Sequence, residues 1–197
     1  MKCLNIAFAA TALALIAAPT WAQDIGTGSF GDQFVDAVQK SDGDKATDLI
    51  KSHPTIVDTR NGKGDTGLII AIARADPNWT GFLLNNGADP NLPGGKGDTP
   101  LITAAKVGFD DAVTWLLALG AKVDGTNKMG ETALIIAVQQ RDATMVRLLL
   151  NAGANPDKPD SAAGYSARDY AIRDTRDREI LKLINDKKPK AAASASK

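Results

Sequence analysis

Gly97-Asp98-Thr99-Pro100-Leu101, with Leu116-Leu117-Ala118-Leu119-Gly120-Ala121-Lys122 behind it, settles the architecture of this chain. Gly97 permits a tight turn. Thr99 is placed to cap a helix whose first turn holds Pro100. Leu101, Ala104 and Ala105 form an apolar stripe on that short helix, and the alanines allow neighbouring helices to approach closely. Gly108 marks a reversal. Ala112, Val113, Leu116 and Leu117 then recur at helical spacing and predict an amphipathic second helix. Gly120 ends it in a left-handed cap, and Ala121 to Lys128 is turn-rich.

The same pattern stands on either side. Gly64-Asp65-Thr66-Gly67-Leu68 and Gly130-Glu131-Thr132-Ala133-Leu134 lie 33 residues before and after the quoted turn. Leu83-Leu84-Asn85-Asn86-Gly87-Ala88-Asp89 and Leu149-Leu150-Asn151-Ala152-Gly153-Ala154-Asn155 keep the same 33-residue step. Two independent anchors thus hold one period over three units. Asp76-Pro77 is an especially clear start for a second helix. A unit of this kind cannot cover its own apolar faces, so the repeats must stack.

A helix-turn-helix of 33 residues with Thr-Pro-Leu and a closing Leu-Leu-x-x-Gly-Ala-Asp/Asn resembles the ankyrin repeat family. The resemblance covers about residues 31–188, divided as 31–60, 61–93, 94–126, 127–159 and 160–188. It implies an all-α ankyrin solenoid of stacked helix-turn-helix units joined by turn or hairpin fingers. Three units are full, and two degenerate ones cap the ends. The first runs from Phe34 through Leu49-Ile50 to Asp58. The last runs from Gly164-Tyr165-Ser166-Ala167 to Ile184, with one extra residue before Gly164. Terminal units are atypical because one face of each meets water. One departure is consistent. The family usually places a His after the Leu of Thr-Pro-Leu, tying units together by hydrogen bonds; here Ile69, Ile102 and Ile135 stand there. Thr66, Thr99 and Thr132 must then find other partners, and the stiffness of the fingers is affected.

Residues 1–22 read as an export signal: Lys2, an apolar run from Leu4 to Ala18, Pro19, then small residues at Thr20 and Ala22 before Gln23. The run falls short of the ~20 residues that span a bilayer. Its short, alanine-rich style is bacterial, which places the expected product in the periplasm or the medium, with no membrane insertion after cleavage. Residues 23–30 are expected to be a leader and 189–197 a flexible tail. Cys3 is the only cysteine and precedes the apolar run, so the processed chain has no disulfide, thiol chemistry or Cys-ligated metal. The 23 basic and 23 acidic residues balance, and this gives no electrostatic reason to expect nucleic acid or an anionic membrane as partner.

No catalytic constellation, metal site or cofactor site is expected. His53 is the only histidine and lacks ligands or partners at suitable spacing. Gly94-Gly95-Lys96-Gly97-Asp98 does not match a phosphate loop, and its glycines follow the repeat. Asp42-Gly43-Asp44 opens like a calcium loop, but Pro54 occupies the twelfth position. Asp65, Asp98 and Glu131 read as a surface ladder of carboxylates one repeat apart. Trp79 and Trp115 are expected to pack against the core, and the Lys187-Lys188-Lys190 run is expected to solubilise the tail.

The resemblance further implies a concave groove lined by turn tips and first-helix positions. On this sequence the tips are Gly62, Lys63 and Asp65, then Gly95, Lys96 and Asp98, then Lys128, Met129 and Glu131. The helix positions are Ala73 and Arg74, Lys106 and Val107, and Gln139 and Gln140. Lys63, Lys96 and Lys128 are expected to form a basic ridge interleaved with the acidic ladder, suited to a folded protein of mixed charge. The expected function is that of a monomeric, non-enzymatic protein-binding module, acting in stress protection or as an inhibitor of immunity type. The alternative is a secreted effector acting on host proteins.

Overall fold

Local capping chemistry fixes where each helix begins. The computed structural model describes residues 29–174, 176 and 178–186. Residues 1–22, read above as an export signal, residues 23–28 of the expected leader, residues 187–188 of the expected last unit and the tail expected at 189–197 lie outside the described residues. Helix α1 (Phe30–Lys40) starts behind Ser29, whose hydroxyl accepts from Asp32 N while the Asp32 carboxylate accepts from Ser29 N. The helix therefore begins one residue inside the stretch expected to be leader. Helix α2 (Gly43–Ser52) is capped by Asp42, and a 3-10 turn (Pro54–Asp58) follows. That turn was not foreseen.

The three full units repeat one plan. Helices α3 (Gly67–Ala73), α5 (Pro100–Val107) and α7 (Ala133–Gln140) open behind Thr66, Thr99 and Thr132. Each threonine hydroxyl accepts the N–H of the isoleucine three residues on, Ile69, Ile102 or Ile135, at 3.2 to 3.3 Å. The threonine hydroxyls thus find their partners in the backbone of their own helices. Such a cap contributes about 1 kcal/mol, and the same isoleucines bury their side chains in the core. Helices α4 (Pro77–Asn85) and α8 (Ala143–Asn151) are capped by Asp76 and Asp142. In α6 (Asp110–Ala118) Phe109 occupies the cap position and offers no side-chain acceptor. Asp110 and Asp111 supply negative charge to the first turn instead. Helices α9 (Ala167–Arg173) and α10 (Arg178–Asp186) complete the last unit. Gly97 takes φ +90°, and Gly120 closes α6 at φ +86°.

First helices pack on first helices, in the order α1, α3, α5, α7, α9, and α4, α6, α8 and α10 form the second row. One apolar core runs between the rows. Leu68, Leu101 and Leu134 fill one line of it, and Leu83, Leu116 and Leu149 another. Trp79 and Trp115 pack against this core, edge-on to Phe82 and Phe109 respectively. His53 stacks on Phe30 with centroids 4.2 Å apart at the exposed end of the first unit.

Polar links join each unit to the next on the second-helix side. Asp58, Asn91 and Asp124 accept backbone N–H groups from Asp89, Lys122 and Asn155, each 31 residues on, at 2.8 to 3.0 Å. The fingers are tight turns closed by single antiparallel pairings, Arg60 with Thr66, Thr126 with Thr132 and Pro159 with Ser166. Among the described residues there are ten α-helices and no extended strand.

Candidate protein-binding surface

A finger needs its backbone folded over on itself, and one polar side chain does this in most units. Asn61 Oδ1 accepts from the N–H of Lys63 and Asp65 at 2.9 and 3.0 Å. Asn127 Oδ1 does the same for Met129 and Glu131. In the last unit Asp160 Oδ1 takes three N–H groups, from Ala162, Ala163 and Gly164, and so absorbs the extra residue before Gly164. The middle finger has Gly94 at this place. Its neighbour Gly95 lies so close to the Lys63 carbonyl that any side chain there would collide with the oxygen.

The acidic residues at the finger bases, expected as a surface ladder, are also tied into the fingers by hydrogen bonds. Asp65 Oδ1 accepts the Gly95 N–H at 2.9 Å, across to the next finger. Asp98 accepts from Asn127 Nδ2 at 3.0 Å and pairs with Lys106 Nζ at 2.7 Å. Glu131 accepts from the same Asn127 amide at 2.8 Å. All three are half-buried and spend their lone pairs within and between fingers. This inter-finger geometry is set by stacking, which a single unit's sequence does not contain.

The basic ridge is likewise altered. Lys63 and Lys96 occupy equivalent tips one repeat apart and are exposed. Lys128 falls one position earlier in its unit, where its stem covers Gly97 and its Nζ donates to the Gly95 carbonyl at 3.0 Å. It straps two fingers together. Arg74 turns back to donate to the carbonyls of Val38 and Gln39 at the end of α1, at 3.4 and 2.8 Å. Gln140 Nε2 donates to the Lys106 carbonyl at 2.9 Å. Val107 and Met129 remain 41% and 50% exposed, and Gln139 is exposed near Tyr170. Of the expected contact side chains only Asp65, Asp98 and Glu131 are half-buried; the rest reach solvent, and among these Arg74, Lys106, Lys128 and Gln140 also make the contacts just described.

Residues that the sequence did not single out sit at the far end of this face. Tyr170 donates its hydroxyl to Asp160 Oδ2 at 2.7 Å. Burial alone would raise the Asp160 carboxyl, but Tyr170 and the N–H groups of Ala163, Gly164 and Ala162 together hold it below the ordinary carboxylate range. The same hydrogen bond, with burial, pushes the Tyr170 hydroxyl up. Arg173 lies over the Tyr165 ring. A signal for it exists: Lys106 follows its finger partner Asp98 by eight residues, and Arg173 follows Tyr165 by the same eight.

Among the described residues no group of three or more His, Cys, Asp or Glu is placed to hold a metal ion. No described helix is long and apolar enough to cross a membrane.

A stack of two-helix units with a row of fingers along one side defines a helical repeat solenoid, a class built to present an extended face. The family description for ankyrin repeats in three copies matches residues 34–127 and, overlapping it, residues 68–160. The chain belongs to the ankyrin repeat family. No curated protein matches it. Ankyrin repeats generally mediate protein–protein interaction, and proteins built from them are typically non-enzymatic.

Proposed function

We propose that this chain is an exported, non-enzymatic binding protein that docks a protein partner on its concave face. It works in the periplasm or outside the cell, and docking protects the partner under stress or inhibits it in the manner of an immunity protein. The observation that carries the reading is the exposed set Lys63, Lys96 and Met129 on fingers tied to one another through Asp65 and Lys128, with Val107 exposed at the end of α5. A braced surface loses little freedom on binding, which favours affinity. Export rests on the sequence of residues 1–22.

The test is a triple change, Lys63→Glu, Lys96→Glu and Lys106→Glu, with in-cell cross-linking to the partner and affinity purification. Capture should fall while the helical circular dichroism signal persists. Capture unchanged by a folded variant would move the interface to another face. N-terminal sequencing of the processed protein should begin at Gln23; a cytoplasmic protein retaining Met1 would sink the export half.

A further inference from the structure

The last unit carries Tyr165 where the three full units carry an acid, Asp65, Asp98 or Glu131. In the third unit Asp98 neutralises Lys106. In the fifth the equivalent pair is Tyr165 and Arg173, with the guanidinium carbon 3.7 Å from the ring centroid. The ring orients the cation without cancelling its charge. Arg173 lines a cleft of about 380 Å³ together with Gln139, Arg141, Tyr170, Asp174 and Arg176. Among the described lining residues three guanidinium groups stand with one carboxylate, and Asp169 lies within electrostatic reach of Arg173. Asp174 contacts Arg141 through a short ion pair and Arg176 at 3.3 Å, so one acid is divided between two cations.

Arg141 is held there against its backbone preference. Its φ is +60°, at the left-handed turn that the preceding units make through Ala75 at φ +51° and Gly108 at φ +67°. The left-handed region disfavours side chains, and an ion pair this exposed contributes little stability in return. Arginine forks match carboxylates in a paired geometry. By repeat equivalence Asp174 lies on the row of Val107 and Gln140, so the cleft continues the proposed docking face.

We propose that this cleft receives aspartate or glutamate side chains from an acidic segment of the partner protein. Arg173 and Arg141 grip the incoming carboxylates, and Asp174 is the internal stand-in that they displace. The proposal rests on the reading that the concave face binds a protein, and it names the chemistry of that protein's contact.

The test uses the full chain and a fluorescein-labelled oligoglutamate peptide, followed by fluorescence anisotropy at low salt, with an oligolysine peptide and inorganic phosphate as comparison arms. Arg173→Gln should weaken peptide binding by at least about tenfold, the loss of one charged hydrogen-bonded contact. Arg141→Gly should weaken it similarly while leaving the thermal midpoint unchanged or raised, since glycine suits that φ. Asp174→Asn should tighten binding several-fold, a sign that a purely structural role for the pair does not give. The proposal is overturned if the wild-type chain ignores oligoglutamate, if oligolysine binds equally, if phosphate binds where the peptide does not, or if Asp174→Asn weakens binding. Partner capture separates the two readings. Loss with the triple lysine variant but not with Arg173→Gln sinks the acidic segment alone. Loss with Arg173→Gln but not with the triple lysine variant sinks the finger-lined docking reading alone, and capture unaffected by either sinks both.

Discussion

One turn into α4 the core-facing residue is Thr80; at the same place in α8 it is Val146. Both are fully buried, and the Thr80 hydroxyl has no hydrogen-bond partner among the described residues. The next residue is Gly81 in α4, with open space where a side chain would go, and Arg147 in α8, within 3.7 Å of Glu179. Yet the fingers that open these two repeats are nearly superimposable in their bonding, Asn61 serving one as Asn127 serves the other. Repeats 61–93 and 127–159 therefore share a skeleton set by a few capping side chains. Their filling differs in quality.

The largest test of that contrast is to empty the shared skeleton. Leu83→Ala and Leu149→Ala each remove a fully buried side chain, and each should cost about 2–5 kcal/mol in urea denaturation. Similar costs would show that the two units pack equally on their neighbours; a cost under about 1 kcal/mol in either would break the equivalence. Next comes the exchange of fillings. Thr80→Val should stabilise by about 1 kcal/mol by removing an unsatisfied hydroxyl, and Val146→Thr should destabilise by about 1–3 kcal/mol. A destabilising Thr80→Val would mean that the hydroxyl has a partner after all. The smallest effect is expected from Gly81→Ala, a gain of about 0.5–1 kcal/mol in thermal or chemical melts.

The caps were legible because their chemistry is local. Thr66, Thr99, Thr132 and Asp76 each bond a backbone N–H three residues on, a distance that sequence spacing contains. The stripes of Leu and Ala were legible for the same reason. The roles of Asp65, Asp98 and Lys128 were not, because each reaches about 30 residues along the chain to a neighbouring finger. Their positions predicted exposure, and stacking converted them into braces. The Arg141, Tyr170 and Arg173 cleft was hidden by the extra residue before Gly164, which shifts the last unit's register, and by Tyr165 standing where the other units carry an acid. The 3-10 turn at Pro54–Asp58 takes the place of a regular unit ending, and nothing in the period announced it.

The links through Asp58, Asn91 and Asp124 have a consequence for how such a molecule can change over generations. Each joins a unit only to its immediate successor, and each does so at the same sequence separation. Excision of residues 94–126 in one piece would leave Asn91 facing the N–H of Asn155, and Asp65 facing the Asn127 amide. Asn91 would find a backbone donor of the kind it has now, and Asp65 would take the side-chain amide that Asp98 takes. Reach and fold are thus separate variables in this chain: copying or deleting one unit resizes the face offered to a partner without requiring a new core.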